Sequence, residues 1–133
     1  MAETREFDAI IVGAGQAGVP LAKSLAQAGW RTALVERAHV GGTCVNEGCT
    51  PTKTMIASAR VAYLAGRARD YGVIADGISV DMSAVRQRKR DLVQSWRDGS
   101  RRRLESTDNL ELLMGEAAFV GPHTLEVRQK DGS

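Results

Sequence analysis

At 133 residues the chain suffices for one domain with its own core, and 43% hydrophobic with 26% charged residues is the profile of a soluble globular protein. A formal net charge of +2 gives no ground for nucleic-acid binding. The opening MAETREFD carries no basic segment ahead of an apolar run, and the longest near-apolar stretch, residues 9–22, falls short of the ~20 residues of a spanning helix; neither a signal peptide nor a membrane anchor is expected, and the cytoplasm is the expected compartment.

FDAIIV, residues 7–12, is a short Ile/Val-rich run that predicts a strand buried on both faces, as in a parallel sheet. It runs into GAGQAG at 13–18 and then a helical pattern in which Ala17, Leu21, Leu25 and Ala28 recur at helical spacing. Pro20 falls in the first turn and Gly29 marks a stop. WRTALVE predicts a second strand over 31–36. Strand, glycine turn, helix and strand together form a βαβ unit of about thirty residues.

Gly13, Gly15 and Gly18 spell G-x-G-x-x-G at the strand-to-helix turn. Gly13 permits the tight turn, Gly15 lets a pyrophosphate approach the backbone, and Gly18 lets the helix pack close to the strand. The helix N-terminus adds unpaired N–H groups and a partial positive charge. Glu36 ends the second strand eighteen residues after Gly18, where a carboxylate accepts hydrogen bonds from an adenosine ribose and disfavours a 2′-phosphate. The pattern predicts FAD or NAD rather than NADP at this turn; the bland alternative is a glycine-rich turn that binds nothing.

GGTCVNEGCTPTK, residues 41–53, holds both cysteines, Cys44 and Cys49, on the sheet edge that carries the glycine turn. Gly41 and Gly42 permit a sharp entry into a helix that would continue to about Gly66, with Cys44 at or near its N-terminus, where the dipole lowers a thiol pKa. A five-residue step is longer than one helical turn, so bridging the sulfurs requires a distortion that Gly48 and Pro51 allow. Three readings stand at this point. A metal clip has only His39 and Glu47 nearby, too few for a structural zinc set, so no metal is expected. The others are two inert core thiols and a redox pair facing a cofactor, which the scarcity of static disulfides in the cytoplasm favours.

Ile56, Val61 and Leu64 are apolar positions of the helix after the cysteines, and residues 70–79, with Gly72 and Gly77, read as an irregular connection. Asp81 or Ser83 is placed to cap a long helix reaching about Glu105. Met82, Val85, Leu92, Val93, Trp96 and Leu104 share one face of it, into which Lys89 and Arg103 intrude and must snorkel. Residues 84–105 hold eight Arg or Lys against three Asp or Glu; this reads as a solvated face, with docking of Arg101, Arg102 and Arg103 on an acidic partner as a weaker alternative. NLELLMG predicts a third strand, and AAFVG and HTLEVRQ two more, separated by Gly121 and Pro122 as a hairpin or meander. The final KDGS is a turn signal that calls for a further strand.

GGTCVNEGCTPTK resembles the active-site signature of the class I pyridine nucleotide–disulfide oxidoreductases, in wording closest to the mercuric-reductase-like and dihydrolipoamide-dehydrogenase-like branch. GAGQAG with Glu36 matches that family's FAD-binding strand–helix–strand, and LMGEAAFVGPHTLEV resembles the segment that continues the same domain. The resemblance covers essentially the whole chain. It implies an α/β, Rossmann-like FAD-binding domain with a parallel sheet, present over residues 1–133 as its N-terminal part, plus a C-terminal β-hairpin or meander. It implies FAD contacts from Gly13, Ala14, Gly15, Gln16, Ala17, Gly18, Glu36, Arg37, Gly42, Thr43, Gly115 and Ala117, with Cys44, Cys49 and Lys53 both lining the cofactor and acting in catalysis. Cys44 would be the interchange thiol, Cys49 the charge-transfer thiolate against the flavin, and Lys53 the cation near flavin N5. Electrons would pass from NAD(P)H through FAD to a Cys44–Cys49 disulfide, and on to a small-molecule, disulfide or metal-ion substrate.

Glu47 and Thr52 depart from the family's wording, and a carboxylate between the thiols is expected to raise their pKa unless Lys53 pairs with it. The family also has an inserted NAD(P) domain and a C-terminal interface domain, whose His–Glu pair reaches the partner subunit's disulfide. One dinucleotide fingerprint is in this sequence, and His39 and His123 match neither position of that pair. The expectation is the first portion of a longer, homodimeric flavoenzyme that does not turn over alone. The alternative is a non-catalytic dinucleotide-binding module whose cysteines remain independent.

Overall fold

The computed structural model describes residues 4–129. In chain order the elements are β1 (Ala9–Val12), α1 (Gly18–Gln27), β2 (Thr32–Glu36), α2 (Gly42–Asn46), α3 (Cys49–Gly66), a 3₁₀ turn (Ala68–Tyr71), α4 (Met82–Glu105), β3 (Leu110–Gly121) and β4 (Thr124–Gln129). The strands form one sheet in the order β1-β2-β3-β4. β1 and β2 pair in parallel with Val12 opposite Val35, β2 and β3 pair in parallel with Glu36 opposite Met114, and β4 turns back antiparallel on β3. The α/β class, the parallel sheet and the closing hairpin are those expected from the sequence. Lys130 and the rest of the terminal turn signal lie outside the described residues.

β2, not β1, is the buried strand. Thr32, Ala33, Leu34 and Val35 are all buried, because β2 has a hydrogen-bonded neighbour on each side and α1 against it. β1 stands at the edge of the described sheet and its residues are only half-buried, with Val12 exposed, contrary to the expectation of two covered faces.

α1 also turns a different face inward. Ala22 and Ala26 are buried with Val19 partly so, whereas Leu21 is 52% exposed and Ala17 and Ala28 lie at the surface. The reason is proximity. A Cβ at Gly18 would lie 1.9 Å from the Gly13 carbonyl oxygen, so the helix starts nearly in backbone contact with the preceding turn. So close an approach leaves room for alanines and not for leucines. The core that results contains Ala14, Ala22, Ala26, Leu34, Val40, Leu104 and Leu110, with Ile11 and Leu112 packed against it.

Asp81 caps α4, its Oδ1 accepting from the Ser83 and Ala84 N–H groups, as expected. Of the predicted apolar face only Val93 and Leu104 are buried; Met82, Leu92 and Trp96 are exposed, since α4 meets α3 and the sheet along a narrow contact. Lys89 is half-buried and Arg103 exposed. Arg101 pairs with Glu105 one turn on, and Arg102 and Arg103 sit in the last turn, where cations suit the carbonyl end of the helix. The solvated-face reading accounts for this cluster.

NLELLMG and AAFVG are one strand, not two. No turn residues interrupt Glu116–Phe119, so β3 runs on from its parallel pairing with β2 into its antiparallel pairing with β4. Gly121 opposes Thr124, which leaves Pro122 and His123 as the hairpin turn. No helix among the described residues is long and apolar enough to cross a membrane.

Candidate functional site

The glycine turn leaves β1 at its C-terminal end. Gly13, at φ +102°, donates its N–H to the Val35 carbonyl over 2.7 Å and so pins the turn to the adjacent strand. Gly15 is different. Its φ is ordinary, and an added Cβ would meet only the Gly42 Cα at 3.7 Å, a normal contact. Nothing among the described residues requires glycine there. The N–H groups of Gly15, Gln16 and Ala17 meet no acceptor among the described residues and lie at the start of α1, where a phosphate is favoured.

Glu36 has a role that sequence reading missed. Its Oε2 accepts from the Ala14 N–H at 2.9 Å and its Oε1 from the Ala38 N–H at 2.8 Å. The carboxylate is therefore a strut between the glycine turn and the loop after β2, and each oxygen retains a lone pair for a ribose hydroxyl. Arg37 is exposed beside it. Gly115 follows Met114, the register partner of Glu36, and so lies at the same sheet edge. A Cβ at Gly115 would come within 2.7 Å of the Arg128 carbonyl oxygen, so β4 is what demands glycine here. Ala117 is half-buried two residues farther along the hairpin.

The cysteine segment is docked on this turn. The Gly41 N–H donates to the Ala14 carbonyl at 2.8 Å, and the Gln16 Nε2 donates to the Gly41 carbonyl at 3.2 Å. Gly42, at φ +62°, lies so close that an added Cβ would stand 2.7 Å from the Gly15 Cα. The two glycine-rich motifs, some thirty residues apart in the chain, thus form a single backbone surface.

Where one helix was expected there are two. α2 ends at Asn46 and α3 begins at Cys49, with Gly48 between them at φ −115°, ψ −111°, outside the helical region. A side chain at Gly48 would press on the Thr43 carbonyl oxygen at 3.0 Å and the Cys44 Cα at 3.3 Å. Glu47, at φ −136°, and Gly48 make the break; Pro51, in the first turn of α3, interrupts nothing, because its missing N–H has no helical acceptor at that position. Cys44 lies in the first turn of the short α2, as expected, and Cys49 is the first residue of α3.

The break brings the thiols together. Both are free, Cys44 half-buried and Cys49 exposed. Cys44 is pushed up from the ordinary thiol range, first by its hydrogen bond with the Cys49 side chain, then by burial and by the charge Cys49 would carry. The Cys49 backbone N–H and the Lys53 ammonium pull the other way and do not prevail. This corrects the expectation of a thiolate-favouring Cys44: a thiol sharing a proton with another thiol resists losing it. Glu47 is exposed and is not among the groups acting on Cys44. Thr43 and Lys53 are exposed beside the pair.

Sequence reading also missed Asn46, whose Nδ2 donates to the Gly42 and Val40 carbonyls at 2.8 and 3.2 Å, and Arg97 of α4, which donates to the Asn46 Oδ1. It missed Thr50 and Thr54, buried on α3 with the Thr54 hydroxyl donating to the Thr50 carbonyl. His39 is exposed and His123 lies in the hairpin turn. Among the described residues no three His, Cys, Asp or Glu side chains cluster as metal ligands.

A glycine turn with unpaired N–H groups, a carboxylate at the end of β2 and two thiols docked on that turn are the parts of an α/β domain with a dinucleotide-binding fingerprint. The chain belongs to the pyridine nucleotide-disulphide oxidoreductase family, whose sequence model matches residues 7–132. It is 37% identical over 128 residues to a dihydrolipoyl dehydrogenase of Chlamydia pneumoniae, covering 96% of this chain and 28% of that protein. It is 34% identical over 122 residues to a mercuric reductase of Bacillus cereus, covering 92% and 19%. In fold it is similar to the HOCl-induced flavoprotein disulfide reductase RclA of Escherichia coli, solved as a Cu(II) complex, with a TM-score of 0.75, 35% identity and coverage of 91% of this chain and 24% of that one. The chain spans little more than a quarter of the relatives' length at most.

Proposed function

We propose that these residues are the FAD-binding and dithiol segment of a longer NAD(P)H-dependent disulfide oxidoreductase. The observation that carries the proposal is a pair of free thiols, Cys44 and Cys49, close enough to act on each other across the break at Gly48 and seated on the dinucleotide turn through Gly41 and Gly42. Family membership and the flavoprotein relative support FAD as the cofactor and NAD(P)H as the donor. FAD, when bound, accepts a hydride equivalent from a nicotinamide and passes two electrons on to a disulfide.

The chain's own residues supply position and proton control. Gly15 and the N–H groups at the start of α1 receive the pyrophosphate, and Glu36 receives the ribose while bracing the turn. Gly42 and Thr43 line the approach to the flavin. In the oxidised form the two sulfurs are bonded to each other; on reduction the S–S bond takes up two electrons and one proton, the proton going to Cys44 and Cys49 being left as the thiolate. Cys44 holds its proton more firmly than an ordinary thiol, and Lys53 is placed to stabilise negative charge on the pair. Cys44 then exchanges with substrate while Cys49 remains toward the flavin. The relatives' names support a disulfide or metal-ion substrate. The NAD(P) and dimerisation parts fall outside these residues in this reading, and the working form is a cytoplasmic homodimer.

The test is spectroscopic. The full-length protein is expected to be yellow and to develop a long-wavelength charge-transfer band on partial reduction. Cys49→Ser removes that band and Cys44→Ser retains it. A colourless product, or one whose thiols titrate as two independent groups and never bridge, refutes the enzyme reading in favour of a binding module.

A further inference from the structure

We infer that Arg97 is a positioning residue for the dithiol: acting through the Asn46 amide, it holds the short helix that carries Cys44. The inference rests on the redox reading above. α2 has five residues, a length that does not hold itself as a helix in water, and it opens on Gly41 and Gly42 without a side-chain cap. What closes it is Asn46, two residues after Cys44, whose Nδ2 reaches the Gly42 carbonyl at 2.8 Å, the Val40 carbonyl at 3.2 Å and the His39 carbonyl at 3.4 Å.

Those contacts need the amide to point one way. Flipped, it would set its oxygen against three carbonyl oxygens. Arg97 fixes the choice, since a guanidinium only donates and therefore selects the amide oxygen. It does so from the middle of α4, 51 residues away, with the Arg97 side chain half-buried. A second arginine of the same helix holds the other cysteine helix: Arg88 Nη1 donates to the Thr54 carbonyl of α3 at 3.0 Å. Gly48 separates α2 from α3, so the distance between the sulfurs is set by how each helix is held and not by one continuous helix. Part of the basic face of α4, which the redox reading leaves without a role, thereby acquires one.

The experiment uses the full-length protein and two readouts that need no flavin. One is the rate at which the reduced dithiol closes when oxidised dithiothreitol is added, the reagent taking up the two electrons and two protons released as the S–S bond forms. The other is the pH profile of Cys44 alkylation, followed by peptide mapping. Arg97→Met keeps the apolar stem and removes the donors. It is expected to slow closure about tenfold, equivalent to about 1.4 kcal/mol, and to move Cys44 alkylation to lower pH. Loss of the positive charge alone would move it to higher pH, so the direction separates geometry from electrostatics. Arg97→Lys, which keeps a cationic donor group, is expected to restore most of both. Parent-like closure and an unmoved profile in Arg97→Met would overturn the inference, as would equal impairment in Arg97→Lys. If Arg97→Met does not fold, Asn46→Asp keeps an acceptor for Arg97 but loses the amide donors; slow closure supports the role and parent-like closure overturns it. Absence of a flavin band in the parent would count against the enzyme reading while leaving both readouts intact.

Discussion

Gly18 and Gly15 belong to one turn, yet the structure asks different things of them. A methyl at Gly18 runs into the Gly13 carbonyl oxygen at 1.9 Å, backbone against backbone, with no flexible atom to give way. Gly18→Ala is expected to destabilise the protein by about 3 kcal/mol, read as a lower urea midpoint. A methyl at Gly15 fits beside Gly42, so Gly15→Ala should leave stability within about 0.5 kcal/mol while weakening FAD binding, measured by flavin retention on dilution. Similar stability losses in the two variants would contradict this division of labour. At Cys44 the direction of the pKa shift makes its own prediction. The thiolate is the reactive form, and the Cys49 hydrogen bond favours the thiol, so Cys44 should alkylate more slowly at neutral pH than an ordinary cysteine. Cys49→Ala removes the largest cause of the rise and should move the Cys44 profile to lower pH.

At the scale of elements, the helices are placed by their ends more than by their faces. α1 follows a glycine turn so tight that its alanines, not its leucines, meet the sheet. α4 begins at Asp81, the acceptor for two otherwise unpaired N–H groups. Asp81→Ala is expected to cost about 1 kcal/mol by chemical denaturation, with Asp81→Asn retaining most of the stability. An unchanged midpoint in Asp81→Ala would mean that α4 is held by its side-chain contacts alone, the buried Val93 and Leu104 and the bonds from Arg88 and Arg97.

At the scale of the whole molecule, the sheet edge gathers what the chain scatters: Gly13 to Gly18, Glu36, the cysteine segment and Gly115. Large apolar side chains remain exposed, among them Val61 of α3, Ile74 in the connection before α4 and Phe119 of β3, in a chain that spans about a quarter of its relatives' length. The strand–turn–helix–strand unit, the Asp81 cap, the hairpin turn and the pairing of two cysteines with a glycine turn were all legible in the sequence. Each rests on local chemistry: φ freedom, a capping oxygen, an apolar run of strand length, a spacing of five. What needed the tertiary structure was everything fixed by a distant neighbour. Burial passed from β1 to β2 because strand order decides who sits in the middle. The Cys44 thiol is pushed up and not down because the break at Gly48 leaves Cys49 as its neighbour. Glu36 became a strut, and Arg97 found Asn46, through hydrogen bonds between residues far apart in the chain, and periodicity along one segment carries no record of which other segment will fold against it.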